Sequence, residues 1–178
     1  MNKSISLDST TDKANHNINQ NSRSTLPCPC KSQASFERCC QPLLKGEKPT
    51  GSAEALMRSR YSAYCIGDYA YIAHTYSERA RIEQNITAEA LRESAGTTIW
   101  LHLSIVEASQ DTVEFKAFSK EKATVYCMHE RSYFVKENEQ WRYDSGDMLG
   151  DSGRLKIKRN DACICENGKK FKHCCERR

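Results

Sequence analysis

Two short stretches decide how this chain can fold. Cys28, Cys30, Cys39 and Cys40 in CPCKSQASFERCC follow a C-x-C-x8-C-C spacing, and Cys163, Cys165, Cys174 and Cys175 in CICENGKKFKHCC repeat it. A shift of 135 residues superposes all four cysteines and carries Phe36 onto Phe171, which marks an internal repeat of a small module. Thirteen residues bury too little apolar surface to offset the entropy of ordering them, so each copy needs a cross-link, either disulfides or a metal.

The metal is favoured. The first 26 residues are polar, rich in Ser, Asn and Thr with scattered charges, and contain no signal-peptide pattern, so the expected compartment is the reducing cytoplasm. Four thiolates in one short loop match a tetrahedral Zn²⁺ site, and Fe accepts the same soft ligation. A closed set of four ligands leaves no position for a reacting water, so both sites read as structural. Metal binding would supply about 10–16 kcal/mol of folding free energy, as it does in small zinc-finger peptides.

With Gly168-Lys169-Lys170-Phe171-Lys172 inside the second copy, the pattern resembles the SEC-C motif, the metal knuckle at the carboxyl end of the preprotein-translocase ATPase. Two such knuckles around a segment containing LMRSRYSAY, Leu56 to Tyr64, resemble the YchJ-like family. The first copy departs from that family's Gly-Ser-Gly loop by having Lys31-Ser32-Gln33. The resemblance implies a protein partner of the secretion, chaperone or ribosome type, docked on knuckle tips.

The remaining chain divides into a disordered polar tail over 1–26, the first knuckle over 27–41, a linker over 42–51, a central domain over 52–153 and a basic second knuckle over 154–178. In the central domain Ser52 caps a helix that ends at Gly67, Asp68 caps a second helix to about Ser77, and Thr87 a third to about Ser94. The period then changes to two: Ile99, Leu101, Leu103 and Ile105 alternate with polar residues. Strands follow from Val113, over Thr124 to Lys136, and across a hairpin to Trp141–Asp144. Helices followed by an antiparallel meander predict an α+β fold, with helices packed in a curved antiparallel sheet and flanked by two zinc knuckles. This order is similar to the cystatin-like cone of nuclear-transport-factor-2-like domains.

A cone can enclose a ligand. Projected at 100° per residue, Arg60 falls inside the apolar stripe of its helix, and Glu130, on a strand face with Tyr126, Met128, Ser132 and Phe134, is the expected partner. The pair reads either as a pocket floor or as an ion pair holding helix to sheet. Asp144 is the alternative partner, and His102 and His129 are the other candidate pocket residues. No proton-transfer motif surrounds them.

The formal charge of +4 does not argue for nucleic acid, because two Zn(Cys)₄ sites at −2 each would cancel it. No specific nucleic-acid motif and no membrane span is present in the sequence. From Arg154 to Arg178 there are nine Lys and Arg against three acids. This excess either compensates the thiolates or, through Lys169, Lys170 and Lys172, offers a docking patch to an acidic partner. Two function classes follow: a non-enzymatic adaptor that docks proteins through its knuckles, or a small-molecule-binding or lyase-like cone stapled by them.

Overall fold

A computed structural model describes residues 26–178; the tail expected to be disordered lies almost wholly outside the described residues. A helical turn, α1 (Gln41–Leu44), leaves the first knuckle directly, so the expected linker opens with a turn of helix. Helix α2 (Ala53–Ile66) starts where the Ser52 hydroxyl accepts from the Ala55 N–H, and ends at Gly67, whose φ of 77° takes the left-handed conformation glycine adopts without strain. Asp68 caps α3 (Tyr69–His74) and Thr87 caps α5 (Ala88–Ala95). Ser77, expected inside the second helix, instead caps α4 (Glu78–Glu83), an element the apolar period does not reveal.

Strands β1 (Ile99–Ala108), β2 (Thr112–Glu121), β3 (Thr124–Glu137) and β4 (Gln140–Met148) form an antiparallel meander in sequence order. The turn between β3 and β4 holds Asn138 and Glu139 at φ values of 49° and 62°, the pair of left-handed residues that suits a tight hairpin. After a break, β5 (Gly153–Leu155) pairs with the start of β3, Leu155 opposite Val125.

Helix α2 lies on one face of the sheet. Leu56, Met57 and Tyr61 pack there with Leu103, Val113, Phe115, Ala117, Phe134 and Trp141. The strict alternation expected in β1 breaks at a register shift between Trp100 and His102. Leu103 stays in the core under α2, whereas Leu101 joins Val125 in a second cluster built around Cys163, Phe171 and Cys175. The bulge thus supplies one apolar residue to the second knuckle. No helix among the described residues is long and apolar enough to cross a membrane.

Candidate metal centres

The two cysteine clusters are built alike down to their main-chain bonds. In the first, Cys28 N–H donates to Ala34 O at 2.9 Å; in the second, Cys163 N–H donates to Lys169 O at 2.9 Å. Pro27 bridges Ser35 as Ala162 bridges Lys170, and single 3₁₀ turns run over Phe36–Arg38 and Phe171–His173. Every one of these pairs is related by the same 135-residue shift. The loops match as well: Lys31 and Gln33 sit at φ 63° and 68°, Glu166 and Gly168 at 57° and 75°. The departure from glycine in the first loop therefore changes the strain and not the path.

In each cluster the four sulfurs lie within 4.8 Å of one another. The sulfur separations are 3.6 Å for Cys30–Cys39, 3.8 Å for Cys39–Cys40, 3.3 Å for Cys165–Cys174 and 3.9 Å for Cys174–Cys175. Tetrahedral ligation at about 2.3 Å from sulfur to metal requires sulfurs about 3.8 Å apart, so both donor sets fit a Zn- or Fe-sized cation. All ten cysteines are free thiols.

The thiols perturb one another. Hydrogen bonds from the Cys30 and Cys40 side chains hold Cys28 far below the usual thiol range, and contacts with Cys28 and Cys30 push Cys40 far above it. Burial raises Cys39 to about 11. At Cys163 burial also acts upward, but the main-chain and side-chain hydrogen bonds of Cys165 and Cys175 together outweigh it and bring the thiol to about 7. A cation would replace this proton sharing with direct ligation.

Residues that the cysteine spacing leaves out hold the clusters in place. Ser32 Oγ lies 3.1 Å from Cys39 Sγ, and Asn167 Nδ2 donates to Cys174 Sγ at 2.9 Å. Ser32 and Asn167 occupy the same repeat position, so the superposed copies carried that signal. Cations of the central domain grip the main chain of a cluster cysteine in both knuckles. Arg58 donates to Cys30 O at 2.9 Å, and the buried Lys120 ammonium donates to Cys175 O at 3.3 Å, to Glu176 O at 3.2 Å and to Arg178 O. Arg58 lies within the LMRSRYSAY segment, which does not reveal this contact, and Lys120 stands in no motif.

The candidate pocket residues do not all come together. Arg60 is buried under the sheet, donates to Ile72 O at 3.0 Å and Thr75 Oγ1 at 2.8 Å, and lies over the rings of Tyr76 and Tyr143. Glu130 accepts from Ser132 and Tyr143, not from Arg60, so the expected direct ion pair is replaced by a link through Tyr143. Asp144 faces Ser77 and Arg79 at the helix side, where the Arg79 guanidinium holds its carboxyl below the usual range.

His129, adjacent to Glu130 in an extended strand, points to the opposite face, between Glu114 and Asp151. His102 lies 3.8 Å from Glu166 of the second knuckle. Burial pushes its pKa down; Glu166 opposes this shift and Lys31 of the first knuckle adds to it. Lys31 and Glu166 are equivalent repeat positions, so the two loops act on a common histidine. Lys169 and Lys170 are exposed and Lys172 half-buried; none forms an ion pair among the described residues. An open cleft of about 440 Å³ between α1, α3 and β4 is lined by Leu44, Tyr71, His74, Trp141 and Arg142, and by none of the candidate pocket residues.

Comparison with known proteins agrees with this architecture. Residues 52–146 match the middle nuclear-transport-factor-2-like domain of YchJ, and residues 159–177 match the SEC-C motif. The chain is 35% identical to a UPF0225 protein of Vibrio parahaemolyticus, covering 83% of this chain and 97% of the relative. It is 36% identical to one from a Shewanella species, covering 83% and 94%. Its fold is similar to the solution structure of a SEC-C motif protein from Rhodopseudomonas palustris, with a TM-score of 0.63 and 31% identity over 70% of this chain and 99% of that one. A SEC-C motif protein from Psychrobacter arcticus gives 0.55 and 30%, covering 86% of this chain and 96% of that one. Repeated four-cysteine knuckles on a helix-and-meander cone, with these relatives, place the chain in the UPF0225 family of YchJ-like proteins.

Proposed function

We propose that this protein is a metal-stapled adaptor of the cytoplasm, in which two structural Zn²⁺ knuckles present docking surfaces to a protein partner. The donor sets support a structural role for the metal, since four sulfurs per site close the coordination sphere and leave nothing for substrate. Iron would satisfy the same ligands. The observation that carries the docking reading is the second knuckle's tip, where exposed Lys169 and Lys170 and half-buried Lys172 stand at the 3₁₀ turn over Phe171–His173 without an acidic partner among the described residues. Charges held on a metal-ordered loop lose little conformational freedom on binding, which favours recognition of an acidic partner surface. Partners linked to secretion, folding or translation fit the SEC-C likeness.

The test is a cross-linked pull-down from lysate with the wild-type chain and with Lys169, Lys170 and Lys172 replaced together by Glu. The expected outcome is loss of specific captured proteins while both metal sites remain loaded. Capture unchanged by the triple substitution would refute docking through the tip.

A further inference from the structure

Between the β2–β3 turn, the run from Arg154 to Ile157 and the second knuckle lies a groove of about 340 Å³. Half-buried Leu155 and Ile157, with buried Val125 and Phe171, form its apolar floor, and Lys122, Arg154, Lys156 and Arg159 stand around it. Arg159 is paired with Glu176, the one acid in the lining. Lys122, Arg154 and Lys156 are exposed and form no ion pair among the described residues.

The main chain here is also unmet. The ladder between β5 and β3 ends at Leu155, and neither Lys156 nor Ile157 makes a main-chain hydrogen bond among the described residues. By contrast, β4 is engaged beside Tyr143, where Ser77 donates to Tyr143 O at 2.7 Å and Tyr143 donates to Thr75 O at 2.9 Å.

We infer that this groove binds an acidic peptide segment of a partner protein, with carboxylates on Lys122, Arg154 and Lys156 and an apolar side chain on the Leu155–Ile157 floor. This rests on the adaptor reading but assigns a surface separate from the Lys169–Lys172 tip. Each half of the chemistry selects the occupant. The floor would be wasted on a bare inorganic anion, and the cations would be left unpaired by a neutral apolar chain. Single-stranded nucleic acid needs aromatic faces to stack on, and the only aromatic here, Phe171, is 6% exposed. A peptide alone would also satisfy the idle N–H and C=O groups of Lys156 and Ile157. Because Phe171, Arg159 and Glu176 belong to the knuckle, one wall of the groove depends on the knuckle's fold.

The experiment titrates a fluorescent peptide of alternating Glu and Leu into the metal-loaded full chain and follows anisotropy, with amide exchange on the same samples. Saturable binding is expected, weakened roughly tenfold by Lys122→Glu with Lys156→Glu, weakened less by Lys169→Glu with Lys170→Glu, and accompanied by slower exchange at Lys156 and Ile157. Lys122→Gln with Lys156→Gln serves if the charge reversal disturbs the fold, and should weaken binding in the same direction. Absence of saturable binding overturns the inference, as does binding undiminished in the groove variant. Tighter binding of a single-stranded RNA oligonucleotide through the same lysines overturns it too. Loss of peptide binding only in the Lys169 and Lys170 variant would reject the groove while leaving docking through the tip standing.

Discussion

Arg60 and Glu130 are joined through one tyrosine: the Arg60 guanidinium lies 4.7 Å from the centre of the Tyr143 ring, and the Tyr143 hydroxyl donates to Glu130 Oε1 at 2.9 Å. The carboxylate approaches so closely because residue 146 is glycine. A Cβ there would stand 2.2 Å from Glu130 Oε1 and 2.8 Å from the Tyr143 hydroxyl. Tyr143→Phe keeps the ring under the guanidinium and removes a donor from a buried carboxylate, so it should cost about 1–3 kcal/mol in denaturant unfolding. Gly146→Ala should cost a comparable amount, roughly 1–3 kcal/mol, by overpacking the same spot. Neutral outcomes for both would mean that Glu130 is not held as described.

The knuckle loops predict opposite responses to glycine. Gln33 adopts φ 68° with a side chain, whereas Gly168, its counterpart, adopts 75° without one. Gln33→Gly should therefore stabilise the first knuckle by up to about 1 kcal/mol, and Gly168→Ala should weaken the second by a similar amount. Competition with a chelator, read as slower metal loss in the first case and faster in the second, checks both.

Lys120 couples the second knuckle to the sheet. Lys120→Met keeps most of the buried stem and removes the donor for Cys175 O, Glu176 O and Arg178 O. Metal should leave the second site roughly tenfold faster, equivalent to about 1.4 kcal/mol, while the first site is unchanged. Arg58→Met should give the converse pattern, since Arg58 holds Cys30 O.

Acid should loosen the loop before β5. The Lys116 ammonium, and after it His129, hold the Asp151 carboxyl down at about 2, against about 3.9 for a free aspartate. A depressed carboxyl contributes stability that is fully present above its unfolded pKa and is lost as pH falls through the folded one. That contribution should disappear between about pH 4 and pH 2. Melting of Asp151→Asn should fall less steeply than wild type across this window and run parallel to it above about pH 5. Equal slopes below pH 4 would contradict the assignment.

The parts of this protein legible in its sequence are those whose signal is local. The cysteine spacing, the caps at Ser52, Asp68 and Thr87 and the β1–β4 meander all follow from nearby residues. Features set by long-range pairing were not legible. A register shift turns Leu101 towards the second knuckle, and Ser77 caps a helix because the preceding segment docks beside β4. The helix projection puts Arg60 on the buried side, where the structure has it, but which groups it meets depends on α3 and β4 together. His129 and Glu130 both stand among the candidate pocket residues, although strand geometry sends neighbours to opposite faces. The gripping roles of Arg58 and Lys120 arise only when knuckle and core meet.

The central claim is that each cluster holds one structural metal ion, and native mass spectrometry with elemental analysis tests it most directly. Protein purified without an affinity-metal step should carry about two Zn or Fe ions per chain with all thiols reduced. Cys39→Ser with Cys40→Ser, or Cys174→Ser with Cys175→Ser, should leave about one ion and an intact central sheet. Metal-free chains with oxidised cysteines, or both ions lost when either cluster is broken, would contradict the account.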